Sequence, residues 1–450
     1  MADLRRREFL LTGAAGLAPK GAGRPNIVVI VTDQQHIDSI AAAGNRYLRT
    51  PAMDHLYRTG ASFALSHSPD PVCSPARSAI FTGRMPSETD VASNGRPIRA
   101  GIPNLGEWFG GQANYETVYA GKWHLPRTYT TRIPGFRVLP GGIGGQGNLG
   151  DTSVSRSCEA YLRGRRSSEP FLLVASFLQP HDICEWLRLN MRNPEKLPHP
   201  QIAGELPPLP ANFAHEEREP AALRRIRQRA EPAEGRWNEP HWRYYLWSYY
   251  RHVEMVDGEV GRILEALHDT GRDRNTVVLL TADHGEGLGQ HGMVRKSFSY
   301  DAALKVPFLI SCPGRIPEGR NDAAHPVSGV DVMPTLCDYA GIAPPPRMRG
   351  RSVRPLVEGR AAGGGDFIVS EIPANVGRVV RTGRYKYVTF AGDPVEQLFD
   401  MQPDPGETRN VAADSRYAGA LADHRKLLRE WESRLEKAPG LPHAEAWAAL

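Results

Sequence analysis

The chain has 450 residues, 40% of them hydrophobic, and a formal net charge of +5 from 55 basic and 50 acidic side chains. This length suffices for one large domain and a smaller one. The near balance of charge excludes a protein that binds nucleic acid through charge alone, so we expect no nucleic-acid partner. The five cysteines are irregularly spaced and include no Cys-x-x-Cys pair, so the sequence indicates neither a zinc ribbon nor a disulfide framework. A pairing of Cys158 with Cys184 stays open.

The N-terminal residues 1–23 resemble a twin-arginine export signal, because Arg6-Arg7-Glu8-Phe9-Leu10 precedes a short apolar stretch. We therefore expect a periplasmic or secreted protein that is exported after folding. The alternative is a disordered basic tail on a cytoplasmic protein. No later stretch reaches the length of a membrane-spanning helix.

Residues 24–355 carry the pattern of an α/β domain. Apolar runs rich in β-branched residues predict buried strands at 26–31, 117–120, 171–177, 276–280 and 306–310. Helical segments lie between them, and the clearest is an amphipathic pattern over 242–268. This alternation predicts a large, mostly parallel sheet sandwiched by helices.

Two segments of this domain lack a clear element. Residues 135–150 are glycine-rich and contain a Gly-x-Gly-x-x-Gly match over 142–147. We reject a dinucleotide site there, because no predicted strand precedes the match and no helical pattern follows directly, and we expect a mobile surface loop. Residues 190–240 are rich in Pro, Arg and Glu, which indicates a long insertion near the site or a solvated helix face.

A stretch rich in Pro, Gly and Arg over 344–365 is a candidate domain boundary. Beyond it, short alternating runs predict strands at 367–369, 378–381 and 385–388. A closing helix is expected over 417–435. Residues 356–450 are thus predicted to form a smaller antiparallel-sheet subdomain.

Polar residues directly follow four of the predicted strands. In open α/β sheets, ligands bind beyond the carboxyl ends of the strands, so these residues predict a site at one edge of the sheet. They are Asp33-Gln34, Lys122-Trp123-His124, Gln179-Pro180-His181 and Asp283-His284-Gly285-Glu286.

The side chains of Asp33, Gln34, Asp283 and His284 form a plausible divalent-metal site. Carboxylate, amide and imidazole donors suit Ca²⁺, Mg²⁺ or Mn²⁺ better than a thiolate-binding metal.

Cys73 stands in Cys73-Ser74-Pro75-Ala76-Arg77, a Cys-x-Pro-x-Arg sequence. A lone cysteine is most often a small buried hydrophobic residue. A tyrosine-phosphatase site is excluded, because its arginine would stand at the position of Ala79. Pro75 suits a first helical turn, so Cys73 is predicted just before a helix N-terminus, which favours developing negative charge.

Taken together, these motifs resemble those of the type I sulfatases, over about residues 25–412. Cys73-x-Pro75-x-Arg77 resembles the signature at which a maturation enzyme oxidises cysteine to formylglycine, and the family also has Gly-Lys-Trp-His, found here at 121–124. Asp283 to Glu286, followed by Lys296, resembles the second metal loop with its sulfate-binding lysine. The resemblance implies an alkaline phosphatase-like fold.

The resemblance implies hydrolysis of a sulfate ester, on a small molecule or a glycan, by a formylglycine made from Cys73. One hydroxyl of the hydrated aldehyde attacks sulfur and the other expels sulfate, which divides one difficult step into two. A single divalent cation, Ca²⁺ first with Mn²⁺ or Mg²⁺ as alternatives, would be bound by the formylglycine as well as by the four predicted metal ligands.

Further roles follow for the polar residues near this nucleophile. Lys122 and Lys296 would neutralise the sulfate oxygens, and Arg77 would hold the alkoxide form of the diol. His124 would orient the diol or accept its proton, and His181 would protonate the leaving alcohol. Asn94 is a further candidate for substrate binding. Three tryptophans are candidates to line a sugar pocket, namely Trp186, Trp237 and Trp242.

Two positions depart from the commoner sulfatase pattern. Gln34 replaces a second aspartate, and His284 replaces an asparagine. These residues resemble those of relatives that include phosphonate monoester and phosphodiester hydrolases, which form the second hypothesis. A third hypothesis is a non-catalytic protein that binds sulfated glycans through an unmodified Cys73.

Overall fold

The computed structural model describes residues 23–141, 146–190, 200–214, 219–234, 237–360 and 366–439. The strands are β1 Asn26–Asp33, β2 Ala61–Phe63, β3 Ser66–His67, β4 Glu116–Gly121, β5 Arg137–Val138, β6 Phe171–Pro180, β7 Thr276–Ala282, β8 Phe308–Ser311, β9 Arg320–Asp322, β10 Val327–Ser328, β11 Phe367–Ile372, β12 Gly377–Thr382, β13 Tyr385–Phe390 and β14 Gln397–Asp400. The helices are α1 Pro51–Thr59, α2 Cys73–Thr82, α3 Pro86–Thr89, α4 Leu105–Ala113, α5 Gly147–Gly164, α6 Ile183–Asn190, α7 Ala221–Glu234, α8 Glu239–Asp269, α9 Asp301–Leu304, α10 Val332–Ala340, α11 Arg354–Val357 and α12 Ala418–Glu432.

The large sheet has eight strands in the order β5-β4-β6-β1-β7-β8-β2-β9. The contiguous strands β4, β6, β1 and β7 pair in parallel, whereas β8 runs antiparallel to β7 and to β2. The predicted, mostly parallel sheet is therefore confirmed, and the four strands that precede the polar motifs are neighbours within it.

Helices cover both faces of this sheet, as predicted. Because successive side chains of a strand point to opposite faces, Val29 packs in one core with α2, α4 and α10, and Val28 packs in another with α1, α5 and α8. The predicted helix over 242–268 lies within α8, which begins where the Asn238 side chain accepts a hydrogen bond from the His241 backbone N–H.

The second, smaller sheet is antiparallel and has the order β11-β12-β13-β14. One face packs on residues around α9, including Phe298 and Tyr300, and the other packs on Leu421 and Leu428 of α12. The predicted C-terminal strands and closing helix are thus confirmed. The small sheet begins at Phe367, while Leu356 and Val357 of α11 still pack in the core of the large sheet.

The prediction of a surface loop throughout 135–150 is wrong at both ends. Strand β5 precedes the glycine match, and helix α5 begins at Gly147, whose N–H donates to the Asp182 carboxylate at 2.7 Å. Asp182, which is distant in the sequence, thus caps the N-terminus of α5. The helix therefore begins in the glycine-rich segment, before the apolar residues Val154 and Cys158. Residues 142–145 lie outside the described part of the chain.

The segment 190–240 is only partly described, and it contains α7. This helix is not a fully solvated face, because Leu223 is buried and the half-buried Ile226 packs against the same core. Arg227 forms a buried ion pair with Glu219 at 2.5 Å. The pairing of Cys158 with Cys184, which the sequence left open, is not formed, and all five cysteines are free thiols.

The twin-arginine prediction falls on residues outside the described part of the chain. Among the described helices, none combines the length and the apolar character that a bilayer crossing requires.

Candidate active site

The candidate site lies at the carboxyl edge of the four central strands. Asp33 is the last residue of β1, and Asp283 directly follows β7. Helix α2 begins at Cys73 itself, so its N-terminus faces this edge. Parallel strands end at the same edge, so these segments meet although they are far apart in the sequence.

Four predicted metal-binding residues are brought together at this edge. One ligand atom each from Asp33, Cys73, Asp283 and His284 lies within 4.8 Å of all the others, and all four residues are buried. The Cys73 Sγ, which stands in for the oxygen of a formylglycine, is 3.2 Å from His284 Nε2 and 3.8 Å from Asp33 Oδ1. Two carboxylates, an imidazole and that oxygen fit a divalent cation.

The His284 ring is oriented for metal binding. Its Nδ1 lies 2.9 Å from the Gly285 carbonyl oxygen. Donation of a proton from Nδ1 to this carbonyl leaves the lone pair of Nε2 facing the carboxylates, as in protein metal sites.

The fifth predicted ligand, Gln34, has its side chain bound to other groups. Its Oε1 accepts a hydrogen bond from Lys296 Nζ at 2.6 Å, and its Nε2 donates to the Glu286 carboxylate. Its backbone N–H donates to Asp283 Oδ1 at 3.0 Å from a left-handed backbone conformation, with φ of 68°.

Arg77 lies between the two carboxylates of the site. Its Nη2 is 3.0 Å from Asp33 Oδ2, and its Nε is 2.9 Å from Asp283 Oδ2. Its Nη1 donates to the Lys122 carbonyl and to Ser176 Oγ. The Arg77 guanidinium therefore binds the two aspartates, whereas the sequence predicted that it would interact with the nucleophile.

The two predicted sulfate-binding lysines contact different members of the site. Lys122 Nζ is 2.5 Å from Asp33 Oδ2, and Lys296 Nζ is 3.2 Å from Cys73 Sγ. Although burial opposes the charged form, Cys73 and Asp33 raise the pKa of Lys296. Lys296 therefore contacts the position of the nucleophile directly, whereas Lys122 contacts the neighbouring Asp33.

The two aspartates of the site hold protons differently. Burial acts to raise the pKa of Asp33, but Lys122 and Arg77 hold it well below its usual range. Burial and the negative charge of Asp33 raise the pKa of Asp283 to about 6. Two carboxyl groups in one buried site cannot both ionise freely, so the ionisation of Asp33 makes that of Asp283 less favourable.

The charges also act on the Cys73 thiol of the unmodified chain. Burial and Asp33 oppose its ionisation, yet Lys122, Lys296 and His284 hold the pKa of Cys73 well below its usual range. The site thus stabilises negative charge at the position of the nucleophile.

The remaining predicted residues lie around Cys73. Burial, followed by Lys296, lowers the pKa of His181 to about 3, so its imidazole is neutral at pH 7. The His124 carbonyl accepts from Ser74 Oγ at 2.6 Å, and its buried Nδ1 has no hydrogen-bond partner among the described residues. Asn94 Oδ1 accepts from the Ser74 N–H at 2.9 Å, so it supports the start of α2.

The tryptophans predicted to line a sugar pocket differ in exposure. Trp237 and Trp242 are buried and pack edge to face against each other, with ring centroids 5.1 Å apart, so a role as sugar-lining residues is wrong for this pair. Their burial follows from the aromatic cluster that anchors α8. Trp186 is half-buried and packs against Trp237 at 5.8 Å.

Three buried residues around Gln34 have no role in the predictions made from the sequence. Glu286 and Tyr245 are fully buried beside Gln34, and the Tyr249 hydroxyl donates to the Gln34 carbonyl at 2.8 Å. Glu286 was visible in the Asp283 to Glu286 motif but had no assigned role. The tyrosines follow the helical spacing of α8, which also indicates core residues.

Comparisons with known proteins agree with this geometry. A family model described as Sulfatase matches residues 25–342, and one described as N-sulphoglucosamine sulphohydrolase, C-terminal, matches residues 289–434. A Delta 4,5-hexuronate-2-O-sulfatase of Bacteroides thetaiotaomicron is 32% identical over 93% of this chain and 91% of its own.

Two solved structures show the same fold. A 2-O GAG sulfatase superimposes with a TM-score of 0.82 and 30% identity, covering 95% of this chain and 94% of its own. The phosphonate monoester hydrolase of Agrobacterium radiobacter superimposes with a TM-score of 0.75 and 26% identity, covering 92% and 96%. The Cys-x-Pro-x-Arg helix, the sheet edge and these matches together place the chain in the sulfatase family of the alkaline phosphatase-like fold, and the protein is a sulfuric ester hydrolase.

Proposed function

We propose that the protein hydrolyses sulfate esters on a carbohydrate through a formylglycine formed from Cys73. The observation that carries this proposal is the convergence of Asp33, Asp283, His284 and Lys296 on the Cys73 side chain at the start of α2. The relative that acts on Delta 4,5-hexuronate 2-O-sulfate supports an anionic sugar as the substrate.

Each residue near Cys73 then has a role that its contacts support. Lys122 and Lys296 bind the sulfate oxygens, and the N-terminus of α2 adds its dipole. Arg77 acts as a positioning residue, because it holds Asp33 and Asp283 at a fixed separation. His124, with its free Nδ1, orients the nucleophile, and His181 serves the leaving oxygen.

A divalent cation completes the proposal, with Ca²⁺ first and Mn²⁺ or Mg²⁺ as alternatives. Asp33, Asp283, His284 and the formylglycine oxygen would hold it, and Gln34 would join them if its amide oxygen left Lys296. Such an ion supplies Lewis acidity and a template for the sulfate. The donor set with Gln34 in place of a second aspartate carries less negative charge, and it includes an imidazole. Both features make Mn²⁺ a better candidate than it would be at a site of carboxylates alone.

The conversion of Cys73 to formylglycine needs a partner enzyme, and it must take place before the folded protein is exported. We propose that a formylglycine-generating enzyme acts on the chain before the twin-arginine-like signal directs export. The mass of the tryptic peptide 59–77, from protein made in its own host, tests this step. An unmodified cysteine in that peptide would mean that the protein is unmatured or is the non-catalytic glycan-binding protein of the third hypothesis.

A phosphonate monoester or phosphodiester hydrolase is the second candidate function. Gln34 and His284 favour it, and a phosphonate monoester hydrolase shares the fold. Side-by-side rates on aryl sulfate and aryl phosphonate esters of the same phenol separate the two candidates. We expect kcat/KM to be higher for the sulfate, and a preference for the phosphonate would overturn the main proposal.

The substrate panel should then include sulfated sugars that differ in the position of the ester. We expect the greatest turnover on a 2-O-sulfated hexuronate. Equal rates on every sulfated sugar would contradict recognition of the sugar itself.

Replacing His181 with glutamine should discriminate among leaving groups. His181 is neutral in the free protein, so the bound negative charge must raise its pKa before it can donate a proton. We expect kcat for alkyl sulfates to fall by about 10²-fold or more, as for loss of a general acid. Aryl sulfates with acidic phenols need little protonation, so they should lose far less.

The leaving-group series measures this difference directly. For the natural enzyme, log kcat plotted against the pKa of the leaving alcohol should have a shallow slope. For His181→Gln, the slope should be steep. Equal losses on alkyl and aryl sulfates would show that His181 is not the acid.

A further inference from the structure

Strand β6 is irregular at the end where it enters the candidate site. Val31 of β1 pairs with Ser176, and the pair that follows is Asp33 with Pro180. Between these pairs β1 advances by two residues and β6 by four, so β6 contains a bulge of two extra residues. Bulges beside active sites redirect the side chains that follow them. The residue that follows this bulge and Pro180 is His181.

A buried carboxylate of helix α5 binds the backbone of this bulge. Asp151 Oδ1 accepts a hydrogen bond from the Leu178 N–H and Oδ2 accepts one from the Gln179 N–H, both at 2.7 Å. A bulge takes backbone N–H groups out of the sheet ladder, and a buried N–H group needs an acceptor. The two oxygens of Asp151 therefore supply one acceptor to each of these N–H groups.

The chain beyond the bulge binds the start of α5 in return. Asp182 accepts from the N–H of Gly147, the first residue of α5, at 2.7 Å and from Gln179 Nε2 at 2.8 Å. A Cβ atom on Gly147 would lie 2.8 Å from Gln179 Cγ and 3.1 Å from Asp151 Oδ2. Helix and bulge thus exchange carboxylates, and their close packing requires a glycine at the helix start.

The bulge is joined directly to the turn that carries His181. The His181 N–H donates to the Leu178 carbonyl at 3.0 Å, and the His181 carbonyl accepts from the Cys184 N–H at 2.9 Å. Leu178 is therefore bound through its N–H to Asp151 and through its carbonyl to His181. These contacts connect Asp151 to His181 through the backbone, without passing through a candidate metal ligand.

We propose that Asp151 is a positioning residue that, through the bulge of β6, fixes His181 at the leaving oxygen of the substrate. This inference rests on the proposed function of His181 as the acid that protonates that oxygen. Asp151 is only 2% exposed, so its effect on the reaction must pass through the backbone that it binds.

Asp151→Asn tests the proposal with a change of one atom. The amide keeps one acceptor and turns its NH₂ toward the other backbone N–H, which loses its partner. We expect kcat for alkyl sulfates to fall by about 10- to 100-fold, as for a catalytic group misplaced by about 1 Å. Aryl sulfates with acidic phenols should lose less than about twofold, because they need little protonation.

The pH of these assays matters. Burial raises the pKa of Asp151 to about 7, although both backbone N–H groups oppose the shift. Assays at about pH 8 therefore compare an ionised carboxylate with its neutral amide.

The slope of the leaving-group plot separates positioning from stability. A variant that merely destabilises the protein lowers the rates on all sulfates by one factor and leaves the slope unchanged, whereas Asp151→Asn should steepen it. Gly147→Ala disturbs the same packing without a change of charge, so it should change the slope in the same direction. In the His181→Gln background, Asp151→Asn should cause no further loss on alkyl sulfates, because the group that it positions is already absent.

Asp257→Asn is the matched control. Asp257 is another buried aspartate that accepts two backbone N–H groups, from Ala52 at 3.1 Å and from Met53 at 2.8 Å, and burial raises its pKa to about 7. We expect this variant to keep the slope and the kcat of the natural enzyme.

Two results would overturn the positioning role of Asp151. They are an unchanged slope for Asp151→Asn, and equal losses by that variant on alkyl and aryl sulfates. A His181→Gln protein with the slope of the natural enzyme would instead overturn the proposed function of His181, and the inference with it.

Discussion

Replacing Cys73 with alanine is expected to abolish sulfate release. The side chain lies at the start of α2, within reach of His284 and Lys296, and no other described nucleophilic side chain occupies that position. Loss of a covalent nucleophile removes the pathway itself, so we expect kcat to fall by about 10⁴-fold or more. Release of inorganic sulfate from an aryl sulfate, followed over hours, measures the residual rate.

Cys73→Ser is expected to fail in a different way. A serine hydroxyl can attack sulfur, but the resulting ester has no second hydroxyl to expel the sulfate. We expect at most one turnover per protein molecule, visible as a sulfated peptide in the mass spectrum.

Cys158→Ala is the matched control for both variants, because Cys158 is another buried, free cysteine and lies in the core between α5 and the sheet. It should retain full activity. Undiminished turnover by Cys73→Ala would contradict the assignment of the nucleophile.

Asp33→Asn is expected to have the second largest effect. The Asp33 carboxylate accepts from Lys122 at 2.5 Å and from Arg77 at 3.0 Å, and it supplies one of the four donor atoms of the candidate metal site. An asparagine keeps the shape but removes the charge, which leaves two buried cations short of a partner. We expect unfolding free energy to fall by about 3 to 5 kcal/mol, as for a broken buried ion pair.

The same variant should also lose metal-dependent activity. We expect kcat/KM to fall by about 10³-fold, because the bound cation would lose a ligand and Lys122 would lose its ion-pair partner. Metal content by elemental analysis and denaturant unfolding of the metal-free protein measure the two effects separately.

Asp257→Asn is a suitable control for Asp33→Asn. Asp257 is also buried, accepts the backbone N–H groups of Ala52 and Met53, and has its pKa raised to about 7 by burial. It lies away from the sheet edge, so its substitution should leave metal content and kcat unchanged. An Asp33→Asn protein that binds metal with full activity would show that Asp33 is not a ligand.

Much of the fold was predictable because strands and helices leave different patterns of apolar residues. Within the predicted strands 26–31 and 276–280, residues 27–31 and 277–280 are all apolar and buried on both faces, which indicates central parallel strands. The start of α5 was not predictable, since its glycines carry no helical signal and the cap comes from Asp182, more than thirty residues away.

The sequence by itself determined which residue types stand at the ends of the central strands and at the start of α2. Because parallel strands end at one edge, Asp33, Asp283 and His284 could be expected to meet at Cys73, and they do. Local chemistry along the chain sufficed for that part of the site.

Only the tertiary structure decided which partner each polar group takes. Arg77 faces the two aspartates and the Gln34 amide faces Glu286 and Lys296, where the sequence predicted contacts with the nucleophile and with metal. The reason is that a buried polar group must find a partner of opposite hydrogen-bonding character within about 3 Å. Which groups come that close depends on side-chain directions across strands and helices distant in sequence, and no local pattern records them.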